Sequence, residues 1–266
     1  AFSREQEKLH VCKRRLIMIT YDFSNKVVVV TGSARGIGRR IAERFYEAGA
    51  KVALCSISKT GKEELMQEIA GDDRSRIMAL SADVSKPEDI ASFMQAVVDK
   101  FGTIDVLVNN AGISHIGLMQ SMSEQDWNHL LSVNLSAAFY LCKQVVPHMV
   151  QQKQGKILNI SSIWGEHGAS CEVAYSAAKG GLNTFTKALA KELAPSGISV
   201  NAISCGMIDT QMNAGFTPEE ITEICEEIPC GRMASAEEVG DFAALLLKAS
   251  PYMTGQIIGF DGGWGV

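Results

Sequence analysis

A buried strand that runs directly into a glycine-rich turn constrains this chain more than any other feature. The segment KVVVVTG (26–32) is a continuous run of β-branched residues, as expected for a strand buried on both faces. The turn TGSARGIG (31–38) follows it, and the helical pattern RRIAERFYEAGA comes next. Because glycine permits a tight turn and a helix N-terminus attracts anions, this unit predicts a phosphate site for a dinucleotide.

The same alternation of strand and helix continues to the end of the chain. Strands are predicted at 26–32, 51–57, 76–83, 104–112, 155–162, 198–204 and 255–263, with helical patterns between most of them. This order indicates an α/β fold, a Rossmann-type doubly wound parallel sheet with helices on both faces. No linker or repeat interrupts 24–266, so we predict a single domain there. Residues 1–23 are interpreted as an N-terminal extension, with Met18 as a candidate natural start.

Composition excludes several classes of protein. The 266 residues carry a formal net charge of -5, which argues against a nucleic-acid binder. No apolar run approaches the roughly 20 residues of a membrane-spanning helix. The seven cysteines form neither a CxxC pair nor a Cys/His cluster at metal spacing. We therefore predict free thiols in the cytoplasm and no metal site.

A series of motifs resembles the short-chain dehydrogenase/reductase family. In order they are TGxxxGxG at 31–38, Asp83-Val84, NNAG at 109–112, Asn134, Ser162, YSAAK at 175–179 and DGG at 261–263. The resemblance covers about residues 24–266 and is greatest with bacterial 3-oxoacyl-acyl-carrier-protein reductases. The string ISSIWGEHGASCEVAYSAAKGG also resembles elongation factor P 5-aminopentanone reductases, which reduce a ketone on a modified lysine of that factor.

Four side chains are predicted to carry the chemistry. Tyr175 and Lys179 are four residues apart, so they share one face of a helix. A neighbouring ammonium lowers the pKa of a tyrosine, which is about 10 when free, so Tyr175 is the predicted proton donor. Ser162 would hydrogen-bond the substrate carbonyl. The resemblance further implies that Lys179 binds the nicotinamide ribose and that Asn134 positions a water linking Lys179 to solvent.

The resemblance also implies a set of cofactor contacts. They are Gly32, Ser33, Arg35, Gly36, Ile37, Gly38, Ser56, Asp83, Val84, Asn110, Ala111, Gly112, Tyr175, Lys179, Ile208 and Thr210. The second strand ends in LCSISK (54–59), without the acidic residue that NAD enzymes place there. Arg35 can instead contact a 2′-phosphate, so the predicted cofactor is NADP(H).

The substrate is less constrained by the sequence. The predicted pocket residues are Trp164, Glu166, His167, Cys171 and Met207. Glu166 is either a carboxylate that binds a substrate amine or a solvated residue. The carrier of the ketone is either acyl carrier protein or elongation factor P. An acidic carrier would need a basic rim, for which Lys153 and Lys156 are candidates.

One position departs from the family pattern. SCGMIDT (204–210) has Cys205 where the family commonly has the proline of a Pro-Gly pair. Because this chain lacks the fixed φ of proline there, we expect a looser loop.

Two classes of function remain open. The first is NADPH-dependent reduction of a ketone to a secondary alcohol, and the second is a non-catalytic dinucleotide-binding protein. The intact Ser162, Tyr175 and Lys179 favour the enzyme. The resemblance implies a homotetramer that uses the helices at 123–153 and 173–193 and the C-terminal strand region as interfaces.

Overall fold

The computed structural model describes residues 21–265 as strands and helices in alternation. The strands are β1 (Val27–Thr31), β2 (Lys51–Ser56), β3 (Ile77–Ser81), β4 (Val106–Asn109), β5 (Gly155–Ser162), β6 (Ile198–Cys205), β7 (Ile208–Asp209), β8 (Ala234–Ser235) and β9 (Ile257–Phe260). The α-helices are α1 (Gly36–Glu47), α2 (Lys62–Ala70), α3 (Pro87–Phe101), α4 (Glu124–Leu131), α5 (Ala137–Gln152), α6 (Trp164–His167), α7 (Val173–Leu193), α8 (Pro218–Glu227) and α9 (Ala236–Lys248).

Seven strands form one parallel sheet in the order β3-β2-β1-β4-β5-β6-β9. The chain first builds outwards from β1 to β3 and then returns to place β4 on the other side of β1. Doubly wound sheets bind ligands at this reversal, outside the carboxyl ends of the strands. The predicted fold class is confirmed, and the strands β7 and β8 form a separate short pair.

Helices cover both faces of the sheet. Val28 faces one layer and Val29 the other, and both are fully buried, which explains the unbroken apolar run in β1. Helices α1, α2 and α9 pack on the first face, and α3, α5 and α7 pack on the second. The two cores fix the strand ends, and with them the loops that carry the predicted site residues.

Local capping signals explain why several helices begin and end where the sequence predicts. Pro87 opens α3, and Gly102, with a φ of 84°, follows its last residue. Ser235 and Glu238 form a capping box at the start of α9. None of the helices within residues 21–265 has the length and apolarity needed to cross a membrane.

The packed chain begins before the predicted boundary at residue 24. Phe23 is only 5% exposed, and its ring meets that of Phe45 edge-on, with 4.7 Å between ring centroids. The backbone N–H of Phe23 donates to the carbonyl of Ala48 at 2.7 Å. The extension boundary therefore needs correction, because these residues belong to the core of the domain. Residues 1–20 of the predicted extension, with Met18, lie outside the described residues.

Two short elements were absent from the sequence-based prediction. The helical region predicted at 123–153 contains a π-helical turn, Ser132–Ser136, between α4 and α5. The four-residue helix α6 follows β5 and packs on α7. Both lie beside the catalytic candidates, where such irregular turns often occur in proteins.

Candidate active site

The glycine turn between β1 and α1 is packed against the end of β4. Gly32 and Gly36 have positive φ angles of 64° and 56°, which residues with a side chain rarely adopt. A Cβ atom on Gly32 would lie 2.8 Å from Cα of Ala111, and one on Gly38 would lie 2.3 Å from Nδ2 of Asn110. The predicted glycines are thus required by the close approach of two backbone segments.

Polar contacts with the NNAG motif hold this turn in place. The hydroxyl oxygen of Thr31 accepts hydrogen bonds from the backbone N–H groups of Asn110 and Ala111, each at 3.1 Å. The amide nitrogen Nδ2 of Asn110 donates to the carbonyl oxygens of Thr31 and Gly32 at 2.9 and 3.2 Å. These residues therefore form the frame of the predicted dinucleotide site.

The start of α1 is suited to an anion. Arg35 occupies the N-cap without a side-chain capping bond, and the first turn contains no acidic residue. Ser33 is fixed on β2, because its N–H donates to the carbonyl of Cys55 at 3.1 Å while its hydroxyl accepts from the N–H of Cys55 at 3.0 Å. Ile37 packs against the core. The first N–H groups of a helix have no partner within it, so a diphosphate fits this end of α1.

Three more of the predicted cofactor contacts, Ser56, Asp83 and Val84, lie at the end of β2 and just after β3. Ser56 ends β2 directly opposite Ser81 of β3. Val84 is buried. The carboxylate of Asp83 accepts hydrogen bonds from the N–H and hydroxyl of Ser85, at 3.0 and 2.7 Å. Burial raises the pKa of Asp83, but these hydrogen bonds together lower it further and keep it below its usual value.

Arg35 meets the segment that follows β6. Its exposed guanidinium donates to Oε1 of Gln211 at 2.9 Å. Ile208 is buried in β7. A Cβ atom on Gly36 would lie 3.5 Å from the methyl group of Thr210. This segment therefore covers the glycine turn.

Ser162, Tyr175 and Lys179 come together at the carboxyl edge of the sheet. Ser162 is the last residue of β5, and the other two lie on successive turns at the start of α7. The ammonium of Lys179 lies 5.5 Å from the centroid of the Tyr175 ring and donates to the carbonyl of Ile160 at 2.8 Å. The hydroxyl of Ser162 accepts from the N–H of Trp164 at 3.2 Å.

Burial dominates the charge states of this group. Burial raises the pKa of Tyr175 well above its usual value, Cys205 raises it further, and a hydrogen bond with Ser162 lowers it. Burial also lowers the pKa of Lys179 to about 8. In the protein without cofactor or substrate, burial therefore outweighs the lowering of the Tyr175 pKa that was expected from Lys179. The phenol is protonated at neutral pH, which is the form that can donate a proton.

Asn134 lies in the π-helical turn Ser132–Ser136 and is buried. Its side-chain oxygen accepts from the N–H of Ile113 at 2.9 Å, and its side-chain nitrogen donates to the carbonyl of the same residue at 2.8 Å. A Cβ atom on Gly112 would lie 3.4 Å from Oδ1 of Asn134 and 3.7 Å from Nζ of Lys179. A cavity of about 10 Å³ borders both Asn134 and Lys179, with room for about one water molecule.

Cys205, which stands in place of the usual proline, is the last residue of β6. It is 5% exposed and lies opposite Ser162 in the parallel register of β5 and β6. Its carbonyl accepts from the N–H of Ile163 at 3.0 Å, and the N–H of Gly206 donates to the carbonyl of Phe260 at 3.1 Å. Burial raises the pKa of the Cys205 thiol to about 12, so it is a neutral, packed side chain at neutral pH.

Two of the predicted pocket residues contact the C-terminal segment. The indole of Trp164 meets that of Trp264 edge-on, with 5.0 Å between centroids. Nε2 of His167 lies 2.9 Å from the carbonyl oxygen of Gly265 and donates to it in the matching tautomer. Residues near the end of the chain thus form part of the wall beside Ser162.

The other three predicted pocket residues lie in different surroundings. The carboxylate of Glu166 accepts from the hydroxyl of Ser204 at 2.6 Å. The carbonyl of Cys171 accepts from the N–H of Gly117 at 2.8 Å. Met207 lines a cavity of about 300 Å³ formed largely by residues 230–238 and 259–262. Of the five residues, Met207 alone lines this cavity.

Glu172 is a candidate residue that the sequence reading missed. It is the N-cap of α7, yet its side chain makes no capping hydrogen bond. Its negative charge raises the pKa of Tyr175. The spacing of three residues before Tyr175 on a helix start is the signal that could have identified it.

The fold and the site together define a dinucleotide-dependent oxidoreductase acting on CH–OH or C=O groups. A family model described as short chain dehydrogenase matches residues 26–221. The chain belongs to the short-chain dehydrogenase family, and several of its relatives are named 3-oxoacyl-acyl-carrier-protein reductases.

Similar proteins include an uncharacterized oxidoreductase, a named reductase and a putative dehydrogenase. The uncharacterized oxidoreductase YmfI of Bacillus subtilis is 40% identical over 90% of this chain and 99% of its own. The 3-oxoacyl-[acyl-carrier-protein] reductase FabG of Chlamydia muridarum is 39% identical over 90% of this chain and 97% of its own. The crystal structure of a putative gluconate dehydrogenase from Agrobacterium tumefaciens matches with a TM-score of 0.86 and 32% identity, over 92% of this chain and 98% of that one.

The depressed pKa of Lys179 predicts a limit on activity at high pH. Lys179 is charged below its pKa of about 8 and neutral above it, so the rate of ketone reduction should fall as pH rises through that value. The measurement is the initial rate at saturating cofactor across the pH range. In Lys179→Arg the charge persists, so its residual rate should show no such decline. An undiminished wild-type rate well above this pKa would contradict the role of the charge.

Proposed function

We propose that this protein uses NADPH to reduce a ketone to a secondary alcohol, as a 3-oxoacyl-acyl-carrier-protein reductase does. The observation that carries the proposal is the grouping of Ser162, Tyr175 and Lys179 beside the glycine turn. A dinucleotide-binding protein that has lost its catalytic activity would have no chemical need for all three side chains. The similarity to reductases named for this activity supports the same reaction.

The residues of the site fit a nicotinamide dinucleotide. At Gly32 and Gly38 there is no space for a Cβ atom. The first turn of α1, which has no side-chain capping hydrogen bond, begins in the same turn of the chain. A bound dinucleotide would supply the hydride for the carbonyl carbon. In this proposal Lys179 would hold the ribose hydroxyls.

Each catalytic candidate has a distinct task in this proposal. Ser162 donates a hydrogen bond to the substrate carbonyl and stabilises the negative charge that develops on its oxygen. Tyr175 donates its proton to that oxygen as the hydride adds to carbon. Lys179 stabilises the resulting phenolate, and the small cavity beside Asn134 would hold a water that returns a proton to the pair.

NADP(H) is the proposed cofactor because of the charges around the end of β2. Residues 56–59 contain no carboxylate to repel a phosphate. The Arg35 guanidinium lies at the start of α1 and makes no ion pair with an acidic residue among residues 21–265. Ser56 ends the strand on the same edge of the sheet. These groups suit a 2′-phosphate better than a free ribose hydroxyl.

The identity of the carrier stays a proposal. Lys153 and Lys156, the predicted basic rim for acyl carrier protein, lie at the amino end of β5, whereas Ser162 lies at its carboxyl end. The ammonium of Lys156 also donates to the carbonyl of Ala249 at 2.6 Å. These lysines therefore cannot form a rim around the active site. The alternative substrate, an aminopentanone on elongation factor P, requires a carboxylate near the site instead.

A homotetramer is proposed from the resemblance and from exposed apolar side chains. Phe139 on α5 is 49% exposed and Tyr252, near β9, is 96% exposed. Trp127 on α4, Val150 on α5 and Leu245 on α9 are also exposed. By contrast Leu193 is buried in the protomer core, where it cannot contact another subunit.

Removal of the Tyr175 hydroxyl should abolish turnover and spare the fold. Tyr175→Phe deletes the proton donor, and general acid catalysis contributes roughly 100-fold or more. NADPH binding, followed by fluorescence titration, should be retained while NADPH oxidation with a test ketone is lost. Tyr140→Phe, on α5, is the matched control and should keep its activity. Activity within a few-fold of wild type in Tyr175→Phe would refute the assignment.

The cofactor proposal predicts a selective effect at Arg35. Charge-assisted hydrogen bonds contribute about 1.5–3 kcal/mol, so Arg35→Ala should weaken NADPH binding roughly tenfold or more and NADH binding little. Dissociation constants for both cofactors provide the measurement. Arg39→Ala, which removes a guanidinium paired with Glu43 at 2.8 Å, is the control. Equal losses for NADPH and NADH would show that Arg35 does not bind the phosphate.

The proposed assembly predicts the mass in solution. Light scattering should give the mass of four chains for the wild type. Phe139→Glu and Tyr252→Glu place a charge on two different surfaces, so each should break one interface and leave a dimer. A wild-type mass of one chain at working concentration rejects the tetramer.

A further inference from the structure

The helix α6 lies beside the catalytic serine and is too short to be stable by itself. It has only four residues, Trp164–His167, and isolated helices of fewer than about 12 residues are marginal in water. Its first backbone N–H, that of Trp164, donates to the hydroxyl oxygen of Ser162 at 3.2 Å. The contacts that hold α6 therefore also decide where this hydrogen-bond donor lies.

Two contacts hold α6 against the body of the fold. Gly165 lies directly on α7, where a Cβ atom would come within 2.7 Å of the carbonyl carbon of Lys179. The carboxylate of Glu166 accepts from the hydroxyl of the buried Ser204 on β6 at 2.6 Å. These contacts join α6 to the sheet and to the helix that carries the catalytic lysine.

Two further contacts come from the C-terminal segment, residues 261–265. The indole of Trp264 meets that of Trp164 at an interplanar angle of 67°, with 5.0 Å between ring centroids. Aromatic pairs prefer this edge-to-face geometry. Nε2 of His167 lies 2.9 Å from the carbonyl oxygen of Gly265. Because Trp164 is the first residue of α6 and His167 is the last, the C-terminal segment holds this helix at both ends.

The C-terminal segment is itself held by Asp261. The carboxylate of Asp261 accepts from the N–H groups of Gly263 and Gly265, at 2.9 and 3.1 Å. Its carbonyl accepts from the N–H of Trp264 at 3.2 Å. Asp261 directly follows β9, the edge strand of the sheet. The indole of Trp264 is therefore presented to α6 from a turn that is fixed on the sheet.

We propose that Trp264 is a positioning residue that acts through Trp164 on the hydroxyl of Ser162. The inference rests on the proposed ketone reduction and adds a residue to it. A serine hydroxyl has one O–H donor and two lone pairs. The N–H of Trp164 takes one lone pair, so the O–H points away from that N–H, and accepting this bond strengthens it as a donor. The substrate carbonyl then receives a directed and polarised hydrogen bond.

A double-mutant cycle tests this role by activity. Trp264→Ala should lower kcat with a test ketone roughly tenfold or more, since a small misplacement of a catalytic group is costly. KM and the affinity for NADPH should change little, because Ser162 acts on charge that develops in the transition state. Trp264→Phe retains an aromatic ring and should restore most of the rate. In a Ser162→Ala background, Trp264→Ala should cost less than about twofold, because residues that act through one another are not additive.

The same cycle separates positioning from a general structural role. Equal losses from Trp264→Ala in the wild type and in the Ser162→Ala background would overturn the inference. An unchanged kcat in Trp264→Ala, or a loss confined to NADPH affinity, would overturn it as well.

A second measurement does not depend on turnover. The chain has three tryptophans, so incorporation of isotope-labelled tryptophan gives three backbone amide signals by nuclear magnetic resonance. In Trp264→Ala the Trp164 amide, identified by its absence in Trp164→Phe, should shift and exchange faster with solvent. The amide of Trp127 on α4 is the internal reference and should not change. If the wild type reduces no ketone, the proposed reaction fails, and the spectrum decides this inference, since an unmoved Trp164 amide rejects it.

Discussion

The hydroxyl of Thr31 joins the two halves of the site. It lies at the end of β1, where the strand order of the sheet reverses, and accepts hydrogen bonds from both Asn110 and Ala111 after β4. This contact holds the glycine turn against the NNAG backbone. It also brings Gly112 close to the ammonium of Lys179. The dinucleotide frame and the catalytic helix therefore share one support, and the rest of the site depends on it.

Burial then decides how the catalytic groups are charged. It keeps the proton on Tyr175 and makes the charge of Lys179 dependent on pH near neutrality. The carboxylate of Glu172 adds a further bias against a tyrosinate. A site with this balance donates a proton readily only when positive charge is supplied nearby. The ammonium of Lys179, 5.5 Å from the centroid of the Tyr175 ring, supplies that charge.

The sequence predicted the parts of the structure that depend on local pattern. The bounds of α3, α7 and α9 and the frame around Gly32 follow from caps, periodicity and glycine spacing. Other parts depend on contacts between distant residues. The sequence did not reveal that Glu166 is bonded to Ser204, that Phe23 belongs to the core, or that the carboxylate of Glu172 has no partner among the described residues. The short helix α6 and the pair β7–β8 are too brief to leave a periodic signal.

The reaction class is tested most directly by the origin of the new hydrogen atoms in the product. The protein would be incubated with a ketone and with NADPH that carries deuterium at the transferable position, in ordinary water. The account predicts one deuterium on the carbinol carbon and none on the hydroxyl oxygen, because carbon receives the hydride and Tyr175 supplies a solvent-derived proton. A product whose new carbon–hydrogen bond comes from solvent, or no product with any ketone, would contradict it.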